Sequence, residues 1–192
     1  MPATPAKAKK AAPGITREGV IATTIALLHE EGPEGLSMRK LATRLGISAP
    51  TLYWHFPDKA ALMAAVMEHL FSSCLTRIGA CNSATEWLRA FGRAIWQVQC
   101  ETPHVPLLIL STEQSADGYD RMQAALRGGL APFARDAADM ERLMQLQAAV
   151  QSLVTGWTTL TQGKGRRLSA QYDVEAVAMR SLDALIAGWP QG

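Results

Sequence analysis

Residues 36–59, LSMRKLATRLGISAPTLYWHFPDK, constrain this chain more than any other stretch. They read as two short helices joined by one tight turn. Leu41, Ala42 and Leu45 give the first helix an apolar face. Gly46 supplies the positive φ that ends a helix without a Cβ penalty, and Ile47 is the apolar residue just past the turn. Ser48 can accept the first free N–H groups of the next helix, and Pro50 is tolerated in its first turn. Leu52 turns inward onto Leu41 and Leu45. That leaves Ala49, Thr51, Tyr53, Trp54 and His55 outside. A helix-turn-helix lays such a second helix in the DNA major groove.

Charge agrees. Of 192 residues, 48 % are hydrophobic, enough for one or two small cores, and the net charge is only +2. It is uneven: residues 1–60 carry net +3 and the remainder net −1. A mildly basic end on a neutral body suits an anionic partner bound there. Cys74, Cys81 and Cys100 form no metal-ligand motif, and an odd count without a secretory signal points to reduced thiols in a cytosol. No apolar run reaches the roughly 18 residues that span a membrane. No Walker loop, HExxH, GxSxG or Rossmann pattern is present, so no enzyme and no cofactor is expected.

The rest reads as all-α, about nine helices. Residues 1–14, rich in Ala, Pro and Lys, read as a disordered basic arm, 15–60 as the helix-turn-helix domain and 61–192 as a helical body. Thr16 caps a first helix that Gly32-Pro33 stops, and Ser37 starts the second. Asp58 opens a long fourth helix to about residue 78. Ser83 and Glu86 form a capping box for the fifth, whose stripe is Trp87, Phe91, Ile95 and Val98. Residues 103–112 are a short helix or a kinked connection. Helices follow at about 118–130, 136–162 and 173–187, with a basic loop, GKGRRLSAQY, before the last.

Residues 15–70 resemble the DNA-binding domain of the TetR family of bacterial one-component repressors. The motif TLYWHF followed by Lys59 is close even to the tetracycline-responsive branch. The resemblance covers about a third of the chain; the body resembles the family only in architecture. It implies that Arg39, Ser48, Ala49, Pro50, Thr51, Tyr53, Trp54, His55 and Lys59 face a double-stranded operator. The chemistry fits: Thr51 suits a phosphate or a thymine methyl, Tyr53 and His55 donate to phosphates, and Trp54 suits the sugar-phosphate wall or the junction with the fourth helix. Ala49 replaces a long base-reading side chain of that branch, so the operator should differ.

In the body, Leu143, Leu146, Val150, Leu153, Trp157 and Leu160 form a heptad seam. Met140, Met144, Gln147, Gln151 and Thr158 lie elsewhere around the same helix, which should therefore be packed on both sides. With Val174, Ala178, Leu182 and Leu185 of the last helix, the seam is expected to form a homodimer interface; an intramolecular hairpin is the other reading. Trp87, Phe91, His104, Gln114, Tyr119 and Trp157 are candidates for a small-molecule effector site, and equally for an ordinary core. The expected function is a ligand-responsive regulator, most often a repressor, that binds a palindromic operator as a homodimer and is released by a small, mostly apolar effector. Its rival is a helical scaffold with a vestigial helix-turn-helix.

Overall fold

The computed structural model describes residues 15–102, 104, 105, 108, 109, 116–161 and 170–190. The arm at 1–14, Gln114 and most of the basic loop at 163–172 lie outside them. Eight α-helices and no strand occur among the described residues. They are α1 (Arg17–Gly35), α2 (Met38–Leu45), α3 (Ala49–His55), α4 (Lys59–Thr76), α5 (Ala84–Glu101), α6 (Ala116–Leu130), α7 (Ala137–Thr161) and α8 (Val174–Gly188). A single 3-10 turn, Ala131–Phe133, follows α6. The all-α reading holds.

Local chemistry sets the starts. Thr16, Ser37, Ser48, Asp58, Ser83 and Asp173 each accept a backbone N–H from three residues on. Each such cap stabilises its helix by about 1 kcal/mol. Glu86 completes the cap of α5 by taking the Asn82 N–H at 2.8 Å. The expected stop at Gly32 is a break inside α1: its φ is 72° and one further turn follows it. Gly46, at φ 67°, ends α2, and Ile47 N–H returns to the Ala42 carbonyl at 3.0 Å.

Packing then divides the chain. Helices α1 to α3 bury Val20, Leu28, Leu41, Leu52 and Phe56 against Leu62 and Val66 of α4. In the body, α5 lies between α4, α7 and α8. Gly92 permits its closest approach: a Cβ there would meet Leu182 at 2.7 Å and Val150 at 3.2 Å. Gly92→Ala should therefore destabilise the protein by about 1–3 kcal/mol through overpacking. A denaturant titration with an unchanged midpoint would contradict this contact.

Two sequence expectations meet the packing of the protomer itself. In α8 the inward row is Val174, Ala178, Leu182 and Ile186, all buried within the protomer. Val174, Ala178 and Leu182 therefore hold the chain's own core, and Leu185 is the member of the expected interface that stays half-buried. In α7, Leu143, Leu146 and Val150 are buried, but Leu153 and Trp157 are only partly covered and Leu160 is 48 % exposed. The core row passes to Gln147, Val154 and Thr158. A seven-residue repeat drifts about 20° per heptad around a straight helix, so the C-terminal end of the seam rotates off the core.

Candidate nucleic-acid interface and body cavity

Helix α3 is short, and three contacts hold it. Leu52 is fully buried beneath it, and Phe56, its C-cap, is also fully buried. Arg17 donates to the His55 carbonyl at 2.8 Å while its guanidinium lies 4.1 Å from the centre of the Phe56 ring. A cation at a helix C-terminus is favourable. The sequence reading missed Arg17, because its acceptor is a main-chain carbonyl 38 positions away and no side-chain pattern marks it.

What α3 leaves outside is mostly uncharged. Trp54 is 83 % exposed and Tyr53 48 %. Pro50 and Thr51 are exposed, and Ala49 and His55 are half-buried. The Trp54 and His55 rings meet edge to face at 5.0 Å. Ser48 works as a cap: its hydroxyl takes the Thr51 N–H and lies 2.8 Å from the Thr51 hydroxyl. Around this strip the cations differ. Arg39 is exposed at the start of α2. Lys40 and Arg44 pair with Glu31 and Glu30 of α1. The Lys59 ammonium donates to the Leu36 carbonyl at 2.8 Å and the Pro33 carbonyl at 3.3 Å, fastening the start of α4 to the end of α1.

The body holds a chain of cavities. One of about 310 Å³ opens between α4 and α6, beside Glu68, Phe71, Arg121 and Met122. A smaller one of about 60 Å³ lies deeper, against Phe71, Cys74, Phe91, Gln99, Met122 and Gln151. A third, about 710 Å³, opens between α6 and α7 beside Tyr119, Met122 and Gln151. Shared walls at Phe71, Met122 and Gln151 join them.

Of the expected effector residues, Phe91 lines the deep cavity and Tyr119 the outer groove. Trp87 stacks on Phe91 at 5.2 Å and fills core space under Gly129, where a Cβ would meet its ring at 2.6 Å. Trp157 lies half-buried on α7 and lines none of these three cavities. His104, at φ 72°, rests its ring against Gly32, at the break in α1. Trp96, opposite the stripe of α5, is buried.

The sequence reading also missed Gln99. Its amide donates to Thr155 at 3.0 Å and accepts from Thr158, tying α5 to α7 inside the core. Burial pushes the Cys74 thiol up to about 11, so it stays neutral. Asp139, buried at the start of α7, is held far below the usual carboxylate range, first by Arg135 and then by Arg142. Among the described residues no group of three or more His, Cys, Asp or Glu could hold a metal ion, and no helix is long and apolar enough to cross a membrane.

Residues 20–66 match the family described as bacterial regulatory proteins, tetR family. The chain is 48 % identical to the class C tetracycline repressor protein of Escherichia coli over 58 residues, 30 % of this chain and 26 % of that protein. It is 38 % identical to the nucleoid occlusion factor SlmA of Haemophilus influenzae (strain PittGG) over 65 residues, 33 % of this chain and 30 % of that one. These matches span under a third of the relatives' own length. In fold the likeness covers more than nine-tenths of the chain. TetR-Q116A of Acinetobacter baumannii AYE, solved with minocycline, matches at a TM-score of 0.71 and 25 % identity, over 91 % of this chain and 96 % of that one. Apo ActR of Streptomyces coelicolor matches at a TM-score of 0.75 and 15 % identity, over 93 % and 96 %, a likeness of fold alone.

Proposed function

We propose, from a chain that belongs through its N-terminal domain to the tetR family of bacterial regulatory proteins, that it represses transcription as a ligand-released homodimer. The observation that carries this reading is the outer face of α3. An exposed Tyr53-Trp54 pair on a helix pinned from beneath by Leu52, Phe56 and Arg17 has no role in the chain's own core. Pre-positioned, it suits a groove. Tyr53 and Thr51 meet base edges or backbone, Trp54 and His55 the sugar-phosphate wall, and Arg39 a phosphate. Ala49 brings the start of the helix close without reading a base.

A ligand in the body biases whichever arrangement of α4 fits it. Helix α4 contributes Met67, Leu70, Phe71 and Cys74 to the deep cavity and enters the DNA-binding end at Lys59. A shift of α4 moves α3, and two half-sites on one DNA face no longer match. A coupling of about 1–3 kcal/mol changes operator affinity about 5- to 150-fold. The dimer face is the half-covered ridge of Leu153, Trp157, Leu160 and Leu185.

Binding of the full-length protein to genomic fragments at several salt concentrations tests the reading against that of a helical scaffold. Retained fragments should share one palindrome. Tyr53→Ala should lower affinity for it by about 1–3 kcal/mol, as one specific contact does. Arg39→Ala should weaken all DNA alike and reduce the salt slope by about one. Undiminished affinity in Tyr53→Ala removes that side chain from the reading surface; no preference among fragments favours the scaffold. In a thermal-shift screen, an effector at 100 times its dissociation constant should stabilise the protein by about 2.7 kcal/mol. Hits confined to highly charged compounds, or hits that leave operator affinity unchanged, contradict release by an apolar effector.

A further inference from the structure

The deep cavity has no charged lining. Its walls are Met67, Leu70, Phe71, Phe91, Ile95 and further apolar side chains, with the Cys74 thiol and two amides, Gln99 and Gln151. At the α4–α6 mouth the ionic groups Glu68 and Arg121 pair with each other at 2.6 Å. A charged molecule entering here would lose its water and meet no counter-charge, which costs several kcal/mol. The two amides are not equivalent. Gln99 is engaged at both ends by Thr155 and Thr158. In Gln151 the oxygen is taken by the Gln147 amide at 3.0 Å. Its N–H2 end has no acceptor among the described residues, and Gln151 lines both the deep cavity and the α6–α7 groove. Gln147 is itself buried, so it fixes which end of Gln151 is presented.

We propose that the deep cavity and the α6–α7 groove, which share the Gln151 wall, together bind an uncharged, largely apolar molecule carrying a hydrogen-bond acceptor such as a ketone or amide carbonyl, which receives the N–H2 of Gln151. Gln147 is the positioning residue that turns the donor toward it. The inference rests on the reading of the body as an effector domain, and names the chemical class of that effector.

Three probes of one shape separate the claims: 1-tetralone, tetralin and tetralin-1-carboxylate, titrated into the full-length protein by tryptophan fluorescence. The ketone should bind about fivefold tighter than the hydrocarbon, one neutral hydrogen bond's worth. The carboxylate should bind weakest. In Gln151→Leu the ketone should fall to the hydrocarbon's affinity, while the hydrocarbon keeps or improves its own. Gln147→Met should narrow the ketone-to-hydrocarbon ratio, a readout that general loosening of the core does not move. Equal binding of ketone and hydrocarbon, an unchanged ratio in Gln151→Leu, tightest binding by the carboxylate, or no binding by any probe overturns the proposal. Operator affinity is measured in parallel. If the probes rank as expected but operator affinity stays constant, the binding site stands and ligand release falls.

Discussion

Replacing Phe56 by alanine is expected to cost about 3–5 kcal/mol and to remove operator binding with it. The ring is fully buried and closes the underside of α3. Its backbone N–H returns to the Leu52 carbonyl at 3.0 Å, and its face carries the Arg17 guanidinium. Truncation opens a cavity between α3 and α4 and strips Arg17 of its platform, so the clamp on the His55 carbonyl loosens as well. Whole domains are stable by only about 5–15 kcal/mol, so the loss is a large fraction of the total. Urea titrations of the full-length protein, followed by circular dichroism, measure it. A loss below about 1 kcal/mol would show that the recognition helix does not rest on this ring.

A glutamate at Trp157 or Leu153 is expected to convert a dimer into monomers and to weaken operator binding by about 10²- to 10⁴-fold, the avidity that two linked half-sites provide. Both residues are partly covered on α7, and Leu160 beyond them is 48 % exposed. An apolar ridge of this kind favours a self-complementary face. Leu182→Glu serves as the contrast. Leu182 is buried against Gly92 within the protomer, so its charge should unfold the chain rather than split a dimer. Sedimentation and circular dichroism distinguish the two outcomes. A wild-type monomer at micromolar concentration, or a dimeric Trp157→Glu protein, refutes this face.

The sequence was most legible where structure is local. Ser37, Gly46, Ser48, Asp58 and Asp173 cap or end helices through neighbours three or four positions away, and each does so at the expected place. Legibility failed where a helix must choose between two apolar faces. In α7 the heptad seam is real in sequence, but a straight helix carries its far end off the core. In α8 the row taken for a contact with a second copy is the row that packs on α5. Sites built from non-local pairs were invisible for another reason. Gln99 with Thr158, Arg17 with the His55 carbonyl and His104 with Gly32 join positions 38 to 72 residues apart, and none alters the pattern around it.

The joint between the two halves of the chain has a consequence for divergence. Lys59 grips the carbonyls of Pro33 and Leu36, and His104 leans on a glycine that has no side chain. What is grasped on the DNA-binding side is main chain, the part of a protein that substitution does not rewrite. A head and a body meeting through such neutral handles need not change in step. The head can stay near 48 % identity over 58 residues to the class C tetracycline repressor protein while the body diverges. Chimeras should then tolerate foreign bodies, provided that the lysine opening α4 and the glycine breaking α1 are retained.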